Sequence, residues 1–192
     1  DSVLFGGGGE YEYYSSYEDY FVGRLLPNGT PDANFAAATL RETAVYDTTL
    51  QSDGLVVGVG AARQPDGRKK LLVFRLQPSG ALDPGFGLGG LVIISDGGAT
   101  REAGYSVVID PDGRIVVAGQ RGNSFLVARL LANGTLDAGF GSGGVFVGPS
   151  NRGGAPRVVL APGGGYRILA YLANGTGSDC GVLGLTAAGA LD

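Results

Sequence analysis

The stretch AGYSVVIDPDGRIVVAGQRGNSFLVARLLANGTLDAGF, residues 103–140, determines the fold class of this chain. Three apolar, β-branched runs, YSVVID, RIVVAG and FLVARLL, are separated by Pro111-Asp112-Gly113 and by the polar loop QRGNS. These separators supply the backbone dihedrals of tight turns, so the pattern predicts three antiparallel strands joined as hairpins. The glycine-rich run GSGGVFVG that follows Phe140 predicts a fourth strand packed closely against its neighbour.

The tail of this unit recurs along the chain. It reads RLLPNGTPD from Arg24, RLQPSGALD from Arg75, RLLANGTLD from Arg129 and, less closely, GLTAAGALD from Gly184. The glycines of the four tails are spaced by 51, 54 and 55 residues, a period in or near the range of propeller blades. We therefore predict an all-β fold of the β-propeller type, built from consecutive four-stranded antiparallel blades.

Several of these segments resemble the delta-60 repeat, a β-propeller repeat family of bacterial surface and secreted proteins. The similarity is most specific in PDGRIVVAG, FLVARLLANGTLDAGF and GGV of the third unit, and it extends over nearly the whole chain. The fourth unit departs from it by carrying Gly184 in place of the arginine. The resemblance implies a β-propeller and a secreted or cell-surface bacterial location, and it implies no common reaction.

The repeats divide the chain into a partial blade, 1–32, and three blades, 33–83, 84–137 and 138–192. The first residues match the second strand of the unit, and the last ones lie within the turn motif. Because each blade needs neighbours to cover its faces, we expect one repeat domain that continues beyond one or both ends and forms an incomplete part of a larger propeller.

Composition narrows the possible functions. With 192 residues and 44% apolar residues the chain can bury a core as one domain, and its net charge of −4 argues against a nucleic-acid footprint. No apolar run approaches the ~20 residues that span a bilayer, so no membrane insertion is expected. Histidine is absent and Cys180 is the single cysteine, predicted as a small buried strand residue. The chain lacks the residues from which nucleophilic catalytic sites and zinc sites are usually built, so we predict that the protein is not an enzyme.

Carboxylates that lie close in sequence raise two alternatives, acid–base catalysis and calcium binding. Asp110 with Asp112, and Glu18 with Asp19, lie close in sequence, but adjacent turn aspartates are expected to face solvent and not a cleft. The Asp-Pro-Asp-Gly turn also has oxygen ligands suited to calcium. Because the full twelve-residue calcium loop is missing and Pro-Asp-Gly suffices as a turn, we predict no cofactor or metal, with calcium as the alternative.

Two loops are the candidate binding sites. The first, within 6–20, interleaves acidic residues with tyrosines, which give large contact area with few rotors. Its alternative interpretation is an extended hairpin with the tyrosines packed on one face. The second is basic and stands at the equivalent position one blade later, so both are expected on one rim. Their candidate residues are Tyr11, Tyr13, Tyr14, Tyr17, Tyr20, Glu18 and Asp19 in the first loop, and Arg63, Arg68, Lys69 and Lys70 in the second.

An arginine and an aspartate eight residues apart recur in the repeat tails. The pairs are Arg24 with Asp32, Arg75 with Asp83, and Arg129 with Asp137. A strand end and a reversing turn can close this separation, so we predict an ion pair in each blade that fixes the turn.

The sequence favours a non-catalytic extracellular scaffold or binding module that presents its rim loops to a protein or glycan. The first alternative is a structural subunit of a bacterial surface assembly or filament, in which the open strands 3–7 or 181–186 contact other subunits. The second is a propeller-type hydrolase or lyase, against which the absence of histidine counts.

Overall fold

A computed structural model describes residues 3–8, 20–36, 38–96, 98, 101–150, 155–173 and 177–192. These residues form fourteen β-strands. Within this part of the chain, no helix has the length and apolarity needed to cross a membrane.

The strands form four antiparallel sheets, each made of strands in chain order. The first sheet contains β1 (Val3–Gly8), β2 (Tyr20–Leu25) and β3 (Ala38–Leu40). The second contains β4 (Thr43–Leu50), β5 (Val56–Arg63), β6 (Lys69–Leu76) and β7 (Leu91–Ile94). The third contains β8 (Glu102–Ile109), β9 (Ile115–Arg121), β10 (Ser124–Leu130) and β11 (Val145–Ser150). The fourth contains β12 (Arg157–Leu160), β13 (Tyr166–Ala173) and β14 (Ser178–Leu185).

The predicted all-β architecture is confirmed, and the second and third sheets have the four antiparallel strands of a blade. In both sheets the turn motif with its aspartate lies between the third and fourth strands. The repeat borders placed at 83 and 137 therefore fall inside sheets that run from 43 to 94 and from 102 to 150. The repeat of the sequence and the hydrogen-bonded sheet have the same period but a different phase.

The core lies between successive sheets. One buried apolar cluster joins the first and second sheets through Val22 and Phe74, and a second joins the second and third through Val73 and Val117. A third cluster, which includes Phe140, joins the third and fourth sheets. Each sheet thus packs face to face on the next, and the four described sheets do not close into a ring.

Glycine inside the strands makes room for aromatic rings. Gly58 of β5 lies opposite Phe74 of β6, and a Cβ added at Gly58 would lie 2.1 Å from the Phe74 ring. A Cβ added at Gly148 of β11 would likewise lie 2.0 Å from the Phe125 ring of β10. The ring therefore lies flat over the neighbouring strand, which explains part of the high glycine content.

Candidate functional site

The structure brings each predicted arginine and aspartate together. Arg129 Nε donates to Asp137 Oδ2 at 2.8 Å, and the other Asp137 oxygen accepts the backbone N–H of Gly139 at 3.0 Å. The Gly139 N–H and the Arg129 guanidinium hold the pKa of Asp137 below its usual value, against the opposing effect of burial. The two equivalent ion pairs are Arg24 with Asp32 at 2.7 Å and Arg75 with Asp83 at 2.7 Å.

The same arginines also contact the next sheet, which the sequence did not predict. Each guanidinium lies 4.7 to 5.0 Å from the ring centre of the phenylalanine that follows its aspartate in the turn. Its Nη1 donates to a backbone carbonyl in the turn of the following unit. These donor and acceptor pairs are Arg24 with Pro78, Arg75 with Ala132, and Arg129 with Ala187. We call the aspartate, the arginine and the acceptor carbonyl together the turn clasp.

The fourth unit keeps the ion pair although it lacks the arginine of the motif. Arg167 of β13 lies directly opposite Gly184 of β14, and its Nη2 is 3.0 Å from Asp192 Oδ2. A Cβ at Gly184 would lie 3.0 Å from Arg167 Nη1. Arg167 therefore occupies the space that an arginine at 184 would need. We call the end of the sheets that carries these ion pairs the turn rim. Its role is structural, because the ion pairs hold the turns in place.

The opposite end of the sheets, which we call the loop rim, comprises 41–42, 63–69, 95–96, 98, 101 and 121–124. Arg63, Arg68 and Lys69 are all exposed there, as predicted for a basic loop, and Arg68 pairs loosely with Asp66 at 3.7 Å. A parallel backbone bridge joins Lys69 to Arg101, so a fourth exposed cation stands beside the loop. No sequence pattern indicates Arg101, because 32 residues separate it from Lys69 and only the docking of two sheets brings them together.

Lys70 is not part of this exposed group, and its prediction as a binding residue is wrong. Because side chains alternate along a strand, Lys69 points outward at the start of β6 and Lys70 points into the interface with the third sheet. Its Nζ lies 3.1 Å from Oε2 of the fully buried Glu102. Glu102 Oε1 also accepts from Arg121 Nε at 2.8 Å. This cluster joins two sheets and leaves Lys70 inaccessible to a partner.

The tyrosine-rich loop remains a prediction. Tyr11, Tyr13, Tyr14, Tyr17, Glu18 and Asp19 lie outside the described residues. Tyr20 is the first residue of β2.

The turn carboxylates differ from the expectation that both face solvent. Asp110 is buried, and its Oδ2 accepts from Arg114 Nε at 2.7 Å and from the Tyr166 hydroxyl at 3.2 Å. Asp112 is exposed and bonds the other end of the same guanidinium at 2.5 Å. Burial acts to lower the pKa of Arg114, but these two carboxylates raise it further than burial lowers it. Both carboxylates are thus partnered by one cation, an arrangement that does not favour calcium.

Within the described ranges, no group of three or more acidic or cysteine side chains is arranged to hold a metal ion. Cys180 lies on β14 and is exposed, so its prediction as a buried residue is wrong. It lies on the face of the fourth sheet that points away from the third.

The first strands of three successive sheets meet in a mixed polar and aromatic group, which we call the axial cluster. It consists of Tyr46 and Asp47 from β4, Tyr105 from β8 and Arg157 from β12. The tyrosine rings have centroids 5.0 Å apart, and Arg157 Nη1 lies 3.6 Å from Asp47 Oδ2. Register shifts in β4 and β8 fall at the two tyrosines. Such bulges interrupt the two-residue alternation of strands, which is why the sequence pattern did not reveal this cluster.

The fold and these repeated turns define a β-propeller repeat protein. A family model described as "Domain of unknown function (DUF5122) beta-propeller" matches residues 7–35, 51–86 and 111–140. Over these three stretches the chain is similar to this family, whose repeat is the same kind of β-propeller repeat as the delta-60 repeat. A search of curated proteins gave no match.

Proposed function

We propose that this protein is a non-catalytic scaffold or binding module, secreted or displayed on a bacterial surface, whose loop rim binds an acidic protein or glycan. The observation that carries the proposal is the gathering of Arg63, Arg68, Lys69 and Arg101 at one exposed end of the second sheet.

Charge supports this assignment. The chain as a whole carries a net charge of −4, so a basic group on the loop rim runs against its average. Within this group, the ion pair between Arg68 and Asp66 is long and exposed, and such pairs contribute little to stability. Guanidinium groups bind carboxylates and sulfates in bidentate geometry. An acidic surface is therefore the partner that this rim is best suited to attract.

The carboxylates support a non-catalytic role. A cavity of about 360 Å³ between the third and fourth sheets contains Asp110 and Asp112, and both bind Arg114. Glycoside hydrolysis needs one carboxyl group that is protonated and one that is ionised, in separate environments. Asp110 and Asp112 instead share one guanidinium, so they do not lie in the separate environments that this chemistry needs.

Binding to two probes, heparin as an acidic glycan and polyglutamate as an acidic polypeptide, tests the proposal. A variant with Arg63, Arg68, Lys69 and Arg101 all changed to serine is compared with R167S, which removes one exposed cation from the turn rim. We expect the wild type and R167S to bind at least one probe in a salt-dependent manner, and the rim variant to bind on the order of tenfold or more weakly, which is about 1.4 kcal/mol. Equal binding by the rim variant and wild type, or no binding to either probe, would contradict the proposal.

A second candidate function, a subunit of a surface assembly, is favoured by the apolar residues on the face of the fourth sheet that points away from the third. Val159, Leu169, Tyr171 and Val182 are exposed there. In the third sheet the corresponding face, which includes Val116 and Val127, is buried against the fourth. A second copy of the chain that stacked on this face would extend the same packing by a heterologous contact.

The oligomeric state, measured by sedimentation at increasing protein concentration, tests this second candidate. Assembly predicts that the wild type forms oligomers with increasing concentration and that L169E/V182E does not. A wild type that stays monomeric at the highest soluble concentration would exclude it.

A further inference from the structure

We propose that the axial cluster is a binding site for a neutral saccharide, separate from the loop rim. The proposal rests on the juxtaposition of a tyrosine pair, Tyr46 exposed and Tyr105 partly exposed, with one carboxylate and one guanidinium, contributed by three successive sheets.

The tyrosines form the apolar part of the site. Tyr46 is 40% exposed, and its ring is tilted by 38° against that of Tyr105, with centroids 5.0 Å apart. Neither tyrosine belongs to the packed apolar clusters between these sheets, so the two rings are not needed to fill a core. The C–H face of a sugar ring is a natural partner for such a surface, because it is apolar while the ring edge is polar.

The polar groups are held in place by the backbone. Asp47 Oδ2 accepts the N–H of Val107 at 3.0 Å, and Arg157 Nη1 donates to the carbonyl of Tyr105 at 3.1 Å. Anchored in this way, the carboxylate can accept from a hydroxyl group and the guanidinium can donate to the next one. Adjacent hydroxyls of a sugar offer this pair of partners, and groups fixed before binding lose little entropy when the ligand arrives.

The charge balance selects a neutral ligand. Asp47 and Arg157 carry opposite charges and lie 3.6 Å apart, so the pair attracts neither polyanions nor cations strongly. The Arg157 side chain is 53% exposed, which leaves donors accessible to a ligand. This balance distinguishes the axial cluster from the loop rim, where four exposed cations stand together.

Space is available beside the cluster. A cavity of about 180 Å³ is lined by Val45, Tyr46, Asp47 and Thr48. This volume corresponds to about six water molecules at their share of liquid volume. The site is therefore sized for one sugar ring, and longer chains would extend along the open side of the first strands.

Saturation-transfer NMR with glucose, galactose, mannose and N-acetylglucosamine, each free and as an oligosaccharide, tests the site on the intact chain. The variants are Y46A, with Y46F to retain the ring, and R157A, whose exposed side chain can be removed without disturbing the core. Y171A is the matched control, because Tyr171 is 47% exposed on the fourth sheet, outside the cluster.

We expect saturation transfer from the protein to at least one of these sugars, reduced at least fivefold in Y46A and R157A and retained in Y46F and Y171A. The loop-rim variant should bind the sugar normally, so this result is independent of the proposed function. Absence of transfer to every sugar tested would overturn the inference. So would full binding by R157A, or an equal loss of binding in Y171A.

Discussion

Arg129 is the best position at which to test the turn clasp. Its side chain is 4% exposed and contacts the Asp137 carboxylate, the Phe140 ring and the backbone carbonyl of Ala187. The change R129A removes all these contacts at once. It leaves Asp137 without its cation and the carbonyl of the fourth unit without its donor.

The expected loss follows from how far these groups are buried. Removing one partner of a buried ion pair typically costs about 3–5 kcal/mol. The Asp137 side chain is 16% exposed and regains water, so we expect about 2–3 kcal/mol. For a domain of this size each kcal/mol lowers Tm by about 2–4 °C, which gives a fall of roughly 4–12 °C.

Thermal and urea unfolding, followed by circular dichroism, measure this loss. Arg24→Ala is the matched control, because it removes the same motif arginine where the side chain is 26% exposed, and its effect should be clearly smaller. R129K keeps the charge but cannot contact all three groups, so it should fall between wild type and R129A. If R129A unfolds within 0.5 kcal/mol (roughly the scatter of neutral surface changes) of wild type, or R24A is the more damaging change, the reasoning is refuted.

Three other changes have defined outcomes. The clasp aspartates have pKa values below 3.8 in the fold, so the stability that they contribute is complete above about pH 5 and is lost as the pH falls through the folded pKa. Urea midpoints should be flat between about pH 7 and pH 5 and should decrease at lower pH. Gly60→Ala would place a Cβ 1.7 Å from the Ala44 carbonyl oxygen and should cost about 3 kcal/mol or prevent folding, whereas Gly98→Ala, with no atom nearer than 3.8 Å, should leave urea unfolding unchanged. Lys70→Ala leaves Glu102 buried with one cation fewer, and we expect urea unfolding to show a loss of about 3 kcal/mol.

Local patterns were sufficient to predict the sheets. The apolar, β-branched runs and the Pro-Asp-Gly and Asn-Gly turns specify hairpins from neighbouring residues alone, and the family match agrees with the repeat read from the sequence. The pairing of Arg129 with Asp137 could be predicted for the same reason, since both belong to one strand and its turn.

Contacts between sheets could not be predicted in this way. The donation from Arg129 to Ala187 and the proximity of Lys69 to Arg101 depend on how one sheet docks on the next. The inward orientation of Lys70 depends on the residue at which β6 begins. An error of one residue in that position reverses the predicted orientation of every side chain in the strand. The tyrosine pair of the axial cluster depends on bulges, which an alternation pattern does not reveal.

The central claim is that the stacked sheets are a rigid support and that binding occurs on the loop rim. Hydrogen–deuterium exchange of the intact chain, alone and with whichever of heparin and polyglutamate binds more tightly, tests it most directly. The account predicts slower exchange at 63–69 and around Arg101, with the amides of 56–62 in β5, of 70–76 in β6, and of β9 and β10 unchanged. Protection confined to the turn rim, or spread through the sheets without change at the loop rim, would contradict it.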